Sequence, residues 1–161
     1  MTATLEEKLG ELMRFRGLKI ATAESCTGGL VADRITNISG SSEYFPGGIV
    51  AYSNEVKANL LGVSWGTLNM HGAVSEETVI EMARGVRKLF NTDIGVSVSG
   101  IAGPLGGTPE KPVGTTWFGL SVNNREWARN FIWEEDRVQN KHRSSETALQ
   151  FVIDYLTGKL K

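Results

Sequence analysis

Ala23-Glu24-Ser25-Cys26-Thr27-Gly28-Gly29 stands where a short apolar run, Leu18 to Ala23, gives way to a helical pattern opening at Leu30. A strand that ends in small polar residues and two glycines, then becomes a helix, turns its backbone sharply. It presents hydroxyls at the strand's carboxyl end and aims unpaired N–H groups outward. Ser25 therefore stands where a nucleophile is exposed, and Thr27, Gly28 and Gly29 where an anion or oxyanion would be held.

On the amino-terminal side, Thr4-Leu5-Glu6-Glu7 reads as a capping box for a helix with Leu5, Leu9, Leu12 and Met13 on one face, closed by Gly17. On the carboxyl side, Leu30, Val31, Arg34, Ile35 and Ile38 recur at helical spacing, and Asn37 to Ser42 is loop chemistry. Gly48 to Tyr52 reads as a second strand, and Ser53 as the N-cap of a helix from Asn54 to Leu61, stopped by Gly62. An irregular stretch follows. Ser75 then caps a helix whose stripe is Val79, Met82, Ala83, Val86, Leu89 and Phe90. Ile94 to Ser99 is a third strand ending in the glycine loop Gly100 to Pro104, and Gly103 to Gly114 is a long loop. Thr115 to Val122 and Glu126 to Trp133 form a hairpin through Asn123-Asn124, and a last helix runs from Arg137 to Leu156 with Leu149, Val152, Ile153 and Leu156 inward.

This order predicts an α/β fold: a three-layer αβα sandwich around a mixed, mostly parallel sheet with one antiparallel strand. In such sheets ligands bind outside the carboxyl ends of the strands. The Ser25 turn, the Tyr52-Ser53 turn and the Gly100 loop all follow strand ends and are expected to line one crevice.

The 161 residues are expected to form one domain, and 17 basic against 18 acidic residues argue against a broad nucleic-acid-binding face. The single cysteine, Cys26, excludes an intramolecular disulfide and a cysteine-built zinc site, and suits a reducing cytoplasm. The start of the chain lacks the basic and apolar pattern of a signal peptide, and no apolar stretch approaches the roughly 20 residues that cross a bilayer. A cytoplasmic protein is expected, with no membrane or nucleic-acid partner, no cofactor and no metal; a two-fold homodimer is the default assembly.

A serine attacks a carbonyl only if a base takes its proton. His71 lies in the irregular stretch and His142 on the last helix; neither stands at a strand end, and Gly-x-Ser-x-Gly is absent. Lys57 is the other solution if burial leaves its amine neutral, the alternative being a solvated lysine on a short helix. Tyr52 either hydrogen-bonds that amine or the reacting group, or covers the core edge. Cys26 reads as a small residue buried under the turn. Lys111, beside Pro112 in the long loop, and Arg137, Lys141 and Arg143 at the start of the last helix read either as phosphate contacts or as solvated charges.

Ala23 to Gly29, Tyr52-Ser53-Asn54-Glu55-Val56-Lys57, His71-Gly72-Ala73-Val74-Ser75, Ser99 to Pro104 and Lys111-Pro112-Val113-Gly114-Thr115 together resemble the CinA C-terminal domain family, in order and over nearly the whole chain. The resemblance implies a five-stranded mixed sheet and a nicotinamide mononucleotide amidohydrolase, which releases ammonia and nicotinate mononucleotide in pyridine-nucleotide recycling. It implies Ser25 as nucleophile and Lys57 as general base with Tyr52 in support, the N–H groups around Thr27 and Gly28 forming the oxyanion hole. Thr27, Gly28, Gly29, Ser99, Gly100, Ala102 and Gly103 fall on the family's pocket motifs, with Lys111 and Arg137 as further substrate contacts. The family is also tied by name to competence and DNA damage, and the rival reading is a non-catalytic nucleotide-binding or assembly module. One departure stands out: many members carry an arginine four residues past the one matched by Arg137, where this chain has Lys141. Lysine keeps the charge but loses arginine's bidentate fork.

Overall fold

The computed structural model describes residues 2–161. All five residues of β1 (Ile20–Glu24) are buried, which explains why this strand reads as a continuous run of small and apolar residues. It lies inside a five-stranded sheet of order β2-β1-β3-β4-β5, with β2 at Gly47–Val50, β3 at Ile94–Gly100, β4 at Thr115–Val122 and β5 at Arg125–Ile132. β1 pairs in parallel with β2 and with β3; β4 is antiparallel to both β3 and β5. β4 is therefore the one strand running against the other four, as the sequence leads one to expect.

The pleat of β1 divides the core. Ile20 faces one layer, formed by α1 (Leu5–Arg16), α2 (Leu30–Thr36) and the long α6 (Arg137–Leu156), together with Val96, Val98, Phe118 and Leu120 of the sheet. Ala21 and Ala23 face the other, formed by α3 (Asn54–Leu61), α4 (Trp65–His71) and α5 (Glu76–Phe90). Alanines on that side let the helices approach closely. Gly85 of α5 completes the fit, because a Cβ there would lie 1.8 Å from the Leu61 carbonyl oxygen.

Helix boundaries follow the capping chemistry. The Thr4–Glu7 box is formed, Gly17 and Gly62 end α1 and α3 in left-handed conformations, and Ser53 and Ser75 cap α3 and α5. Three expectations need correction. The stretch after Gly62 contains α4, which Ser64 caps by accepting from the Thr67 N–H; Leu68 is its sole buried residue, so no apolar period announces it. His71 accordingly ends a helix. Leu89 of α5 is half exposed, outside the stripe assigned to it. The first strand starts two residues later than Leu18 and runs on to Glu24.

The topology delivers the site. β1, β2, β3 and β5 end on the same edge of the sheet, and β4 begins there, its Thr116 opposite Gly100. The turns after β1, β2 and β3 and the start of α6 after β5 thus converge. Among the described residues no helix is long and apolar enough to cross a membrane.

Alanine is the better helix former by about 1 kcal/mol, yet Gly85→Ala is expected to destabilise the protein by about 1–3 kcal/mol through overpacking against α3. Chemical denaturation of the two proteins checks the sign.

Candidate functional site

Successive residues of a strand point to opposite faces. At the end of β1 this sends the Glu24 carboxylate toward α2, while Ser25 faces α3. The Ser25 N–H still donates to the Val98 carbonyl (2.9 Å), so the backbone of this serine is held by the sheet. Lys57, one turn into α3, is only 1% exposed, and its Nζ lies 3.1 Å from Ser25 Oγ. The same Nζ donates to the carbonyls of Ala51 (2.9 Å) and Tyr52 (3.3 Å). Burial pushes the Lys57 amine below the ordinary lysine range, a shift only partly opposed by the neighbouring Cys26. No carboxylate forms an ion pair with it among the described residues.

These contacts define what the amine can do. A neutral amine has two hydrogens and one lone pair. Both carbonyls are acceptors only, so they take the two hydrogens and leave the lone pair for the one partner with a proton to give, the Ser25 hydroxyl.

Around the pair lies a cleft of about 210 Å³, lined also by Tyr52, Asn54, Ala73, Val74, Ser99, Gly100, Ala102 and Arg137. Arg137 brackets its mouth: one terminal nitrogen donates to the Gly103 carbonyl (2.8 Å), the other to the Tyr52 hydroxyl (3.2 Å). Tyr52 therefore meets Lys57 through its carbonyl, and the residue as a whole is 63% exposed at the rim. Asn140, buried in α6, donates to the Ala102 carbonyl (3.0 Å) and fixes the glycine loop from behind.

The turns after β1, β2 and β3 line this one cleft, as expected, through Ser25, Tyr52 and Gly100. Thr27, Gly28 and Gly29 lie outside it and line a separate hollow of about 380 Å³, facing Val138, Lys141 and His142. The turn closes on itself, which is the physical reason. The Gly28 N–H donates to the Ser25 carbonyl (3.0 Å) and the Thr27 hydroxyl to Glu24 (2.6 Å). Gly28 and Gly29 are there for their positive φ angles of 61° and 107°. Of the N–H groups expected to hold an oxyanion, that of Gly28 is thus already engaged, whereas that of Thr27 has no hydrogen-bond partner among the described residues. Lys111 reaches back to α4, donating to the His71 carbonyl (2.6 Å).

Two contributors escaped the sequence reading. Glu24 had a visible signal, a charged residue closing a buried strand. Asn140 had none, because its role depends on how α6 docks. Among the described residues no group of three His, Cys, Asp or Glu side chains is placed to hold a metal ion.

A three-layer α/β protein with a buried serine–lysine pair at the carboxyl edge of its sheet is the class so defined. The family model of the CinA C-terminal domain matches residues 2–156. The chain belongs to that family. It is 54% identical over 158 residues to a CinA-like protein of Chloroherpeton thalassium, and 49% identical over 159 residues to a putative competence-damage inducible protein of Halothermothrix orenii. These alignments take in 96% and 98% of this chain but 38% of each relative, so the chain spans under two fifths of their length. Among solved structures, a CinA superfamily protein of Klebsiella pneumoniae superposes with a TM-score of 0.92 at 32% identity, covering 96% of both chains. A competence/damage inducible protein of Agrobacterium tumefaciens gives 0.86 at 36% identity, covering 98% of this chain and 99% of that one.

Cys26 is 8% exposed, and burial, reinforced by the Glu24 carboxylate, pushes its thiol up to about 12. Iodoacetamide is expected to alkylate it roughly three orders of magnitude more slowly than an ordinary thiol at pH 8, and at an ordinary rate once the chain is unfolded. Mass spectrometry of the intact protein reads both.

Proposed function

We propose that this protein hydrolyses the carboxamide of nicotinamide mononucleotide to nicotinate mononucleotide and ammonia, by a serine–lysine mechanism. The contact of Ser25 Oγ with a buried Lys57 amine, whose hydrogens are claimed by two carbonyls, carries this reading. A module that only bound nucleotides would have no use for a lysine kept out of water. The choice of nicotinamide mononucleotide rests on the family resemblance, supported by a cleft narrow enough to admit the amide-bearing edge of a ring.

In this reaction Lys57 takes the Ser25 proton as Oγ attacks the amide carbon. The tetrahedral oxyanion is stabilised by the N–H groups of Cys26 and Thr27, the residue after a nucleophile being well placed for that role. Lys57 passes the proton to the amide nitrogen, the C–N bond breaks, and ammonia leaves an ester on Ser25. Lys57 then deprotonates the water that cleaves the ester, and the proton returns to Ser25 Oγ.

Ser25→Ala is expected to lower ammonia release by roughly a thousandfold or more while leaving binding of the mononucleotide within a few-fold. The base must be neutral to act, so kcat/KM should rise with pH along a limb centred below the ordinary lysine value of 10.5. Lys57→Arg, protonated throughout, should lose both the activity and that limb. Pre-steady-state and pH-rate measurements decide each point; wild-type turnover by Ser25→Ala would sink the mechanism.

Arg137 sits at the rim, where the part of a nucleotide outside the cleft would lie, and a charge-assisted contact is worth roughly 1.5–3 kcal/mol. Nicotinamide mononucleotide should therefore exceed nicotinamide riboside in kcat/KM by about tenfold or more, and Arg137→Ala should narrow that gap. Equal efficiencies at low salt would show that phosphate is not recognised.

A further inference from the structure

We propose that Glu24 is a positioning residue for Ser25: its carboxylate staples β1 to α2 and so fixes the turn that aims the serine hydroxyl at Lys57. This inference rests on the serine–lysine reading above. Glu24 is 2% exposed, and no basic side chain pairs with it among the described residues. Its charge is met by three donors. Oε1 accepts from the Thr27 hydroxyl (2.6 Å) and the Val31 N–H (2.8 Å), and Oε2 from the Ala32 N–H (3.0 Å).

Capping α2 does not by itself call for this arrangement. A short polar side chain at the N-cap would satisfy the same N–H groups without burying a charge. The N-cap is instead Gly29, which has no side chain to offer, and the acceptor arrives from the strand before the turn. A carboxylate in that place bonds to the middle of the turn through Thr27 and to its far end through Val31 and Ala32. All the intervening residues are held to the strand end. The nearer consequence is for Ser25, the next residue on the chain, whose side chain points to the opposite layer. If the end of β1 rotates, Glu24 and Ser25 move together in opposite senses.

The tolerance is small. The Ser25–Lys57 separation of 3.1 Å is a hydrogen bond that a displacement of about 1 Å would break, and misplacements of that size cost roughly a hundredfold in rate. The same closure of the turn leaves the Thr27 N–H without a hydrogen-bond partner among the described residues. Opening it would let that group find another acceptor.

Glu24→Gln is the sharpest variant, because it keeps the size and one acceptor oxygen but sets an NH₂ donor against the Ala32 N–H. The first readout is the rate at which a small fluorophosphonate esterifies Ser25, followed by intact mass; it needs no amide substrate. The second is kcat and KM for ammonia release. The variant is expected to react with the fluorophosphonate about ten- to a hundredfold more slowly, with kcat reduced in step and KM within about twofold. Should Glu24→Gln fail to fold, Thr27 carries the same test. Thr27→Ser, which keeps the hydroxyl, should react at least about fivefold faster than Thr27→Val, which cannot make the bond.

Equal rates in folded Glu24→Gln and wild type, or equal rates in the two Thr27 variants, would overturn the proposal and leave the serine–lysine pair standing. A wild-type Ser25 that the reagent never modifies would remove the pair and this inference together. Slower labelling of Ser25 in Glu24→Gln than in wild type, without ammonia release from the mononucleotide by either, would support the staple and refute only the choice of substrate.

Discussion

Lys57 is held out of water with two carbonyls and a hydroxyl for company, and most of the structure near it serves to make that tolerable. Desolvation works against the amine's proton and moves its titration below the ordinary lysine range, and the fold meets the amine with hydrogen-bond acceptors. The carbonyls of Ala51 and Tyr52 come from the end of β2, and α3 is capped immediately afterwards by Ser53, so strand end and helix start are locked at the right separation. α3 in turn is pressed against α5 at Gly85, where no side chain could be admitted. The position of the buried Lys57 nitrogen is thus traced back to a missing methyl group on a neighbouring helix.

The layers, the strand that runs against the others and the ends of most helices were legible in the sequence, because each has a local cause. Capping residues mark helix starts, glycines in left-handed conformations mark their ends, and the buried β1 announces itself by composition. α4 was not legible: a helix with one buried residue, Leu68, has no apolar period to detect. Ser25 and Lys57 could be named from motif and chemistry, but their contact could not. From sequence, Lys57 on a short helix is equally a solvated lysine, and only the packing of α3 against the sheet decides that it is buried.

That Thr27, Gly28 and Gly29 lie outside the cleft was hidden for a related reason. A run of Thr-Gly-Gly before a helix looks like a set of free N–H groups, and whether they are free depends on what the preceding carboxylate does. Here Glu24 takes the N–H groups of Val31 and Ala32, and the Ser25 carbonyl takes that of Gly28. The glycines then face Lys141 across a different hollow, with the backbone of the turn as the wall between the two. Tyr52 shows the same limit at smaller scale, since its carbonyl, which every residue possesses, does what its hydroxyl was expected to do.

The reversed strand β4 gives the site a division of labour in space. The groups that meet at Lys57 lie at the end of β1, in the turn after β2 and on α3, in the parallel half of the sheet. Arg137, which joins Tyr52 to the Gly103 carbonyl, reaches the same edge because the chain goes down β4, back up β5 and into α6. The floor and the rim of the cleft are thus built by different stretches of chain, joined through the pairing of β3 with β4.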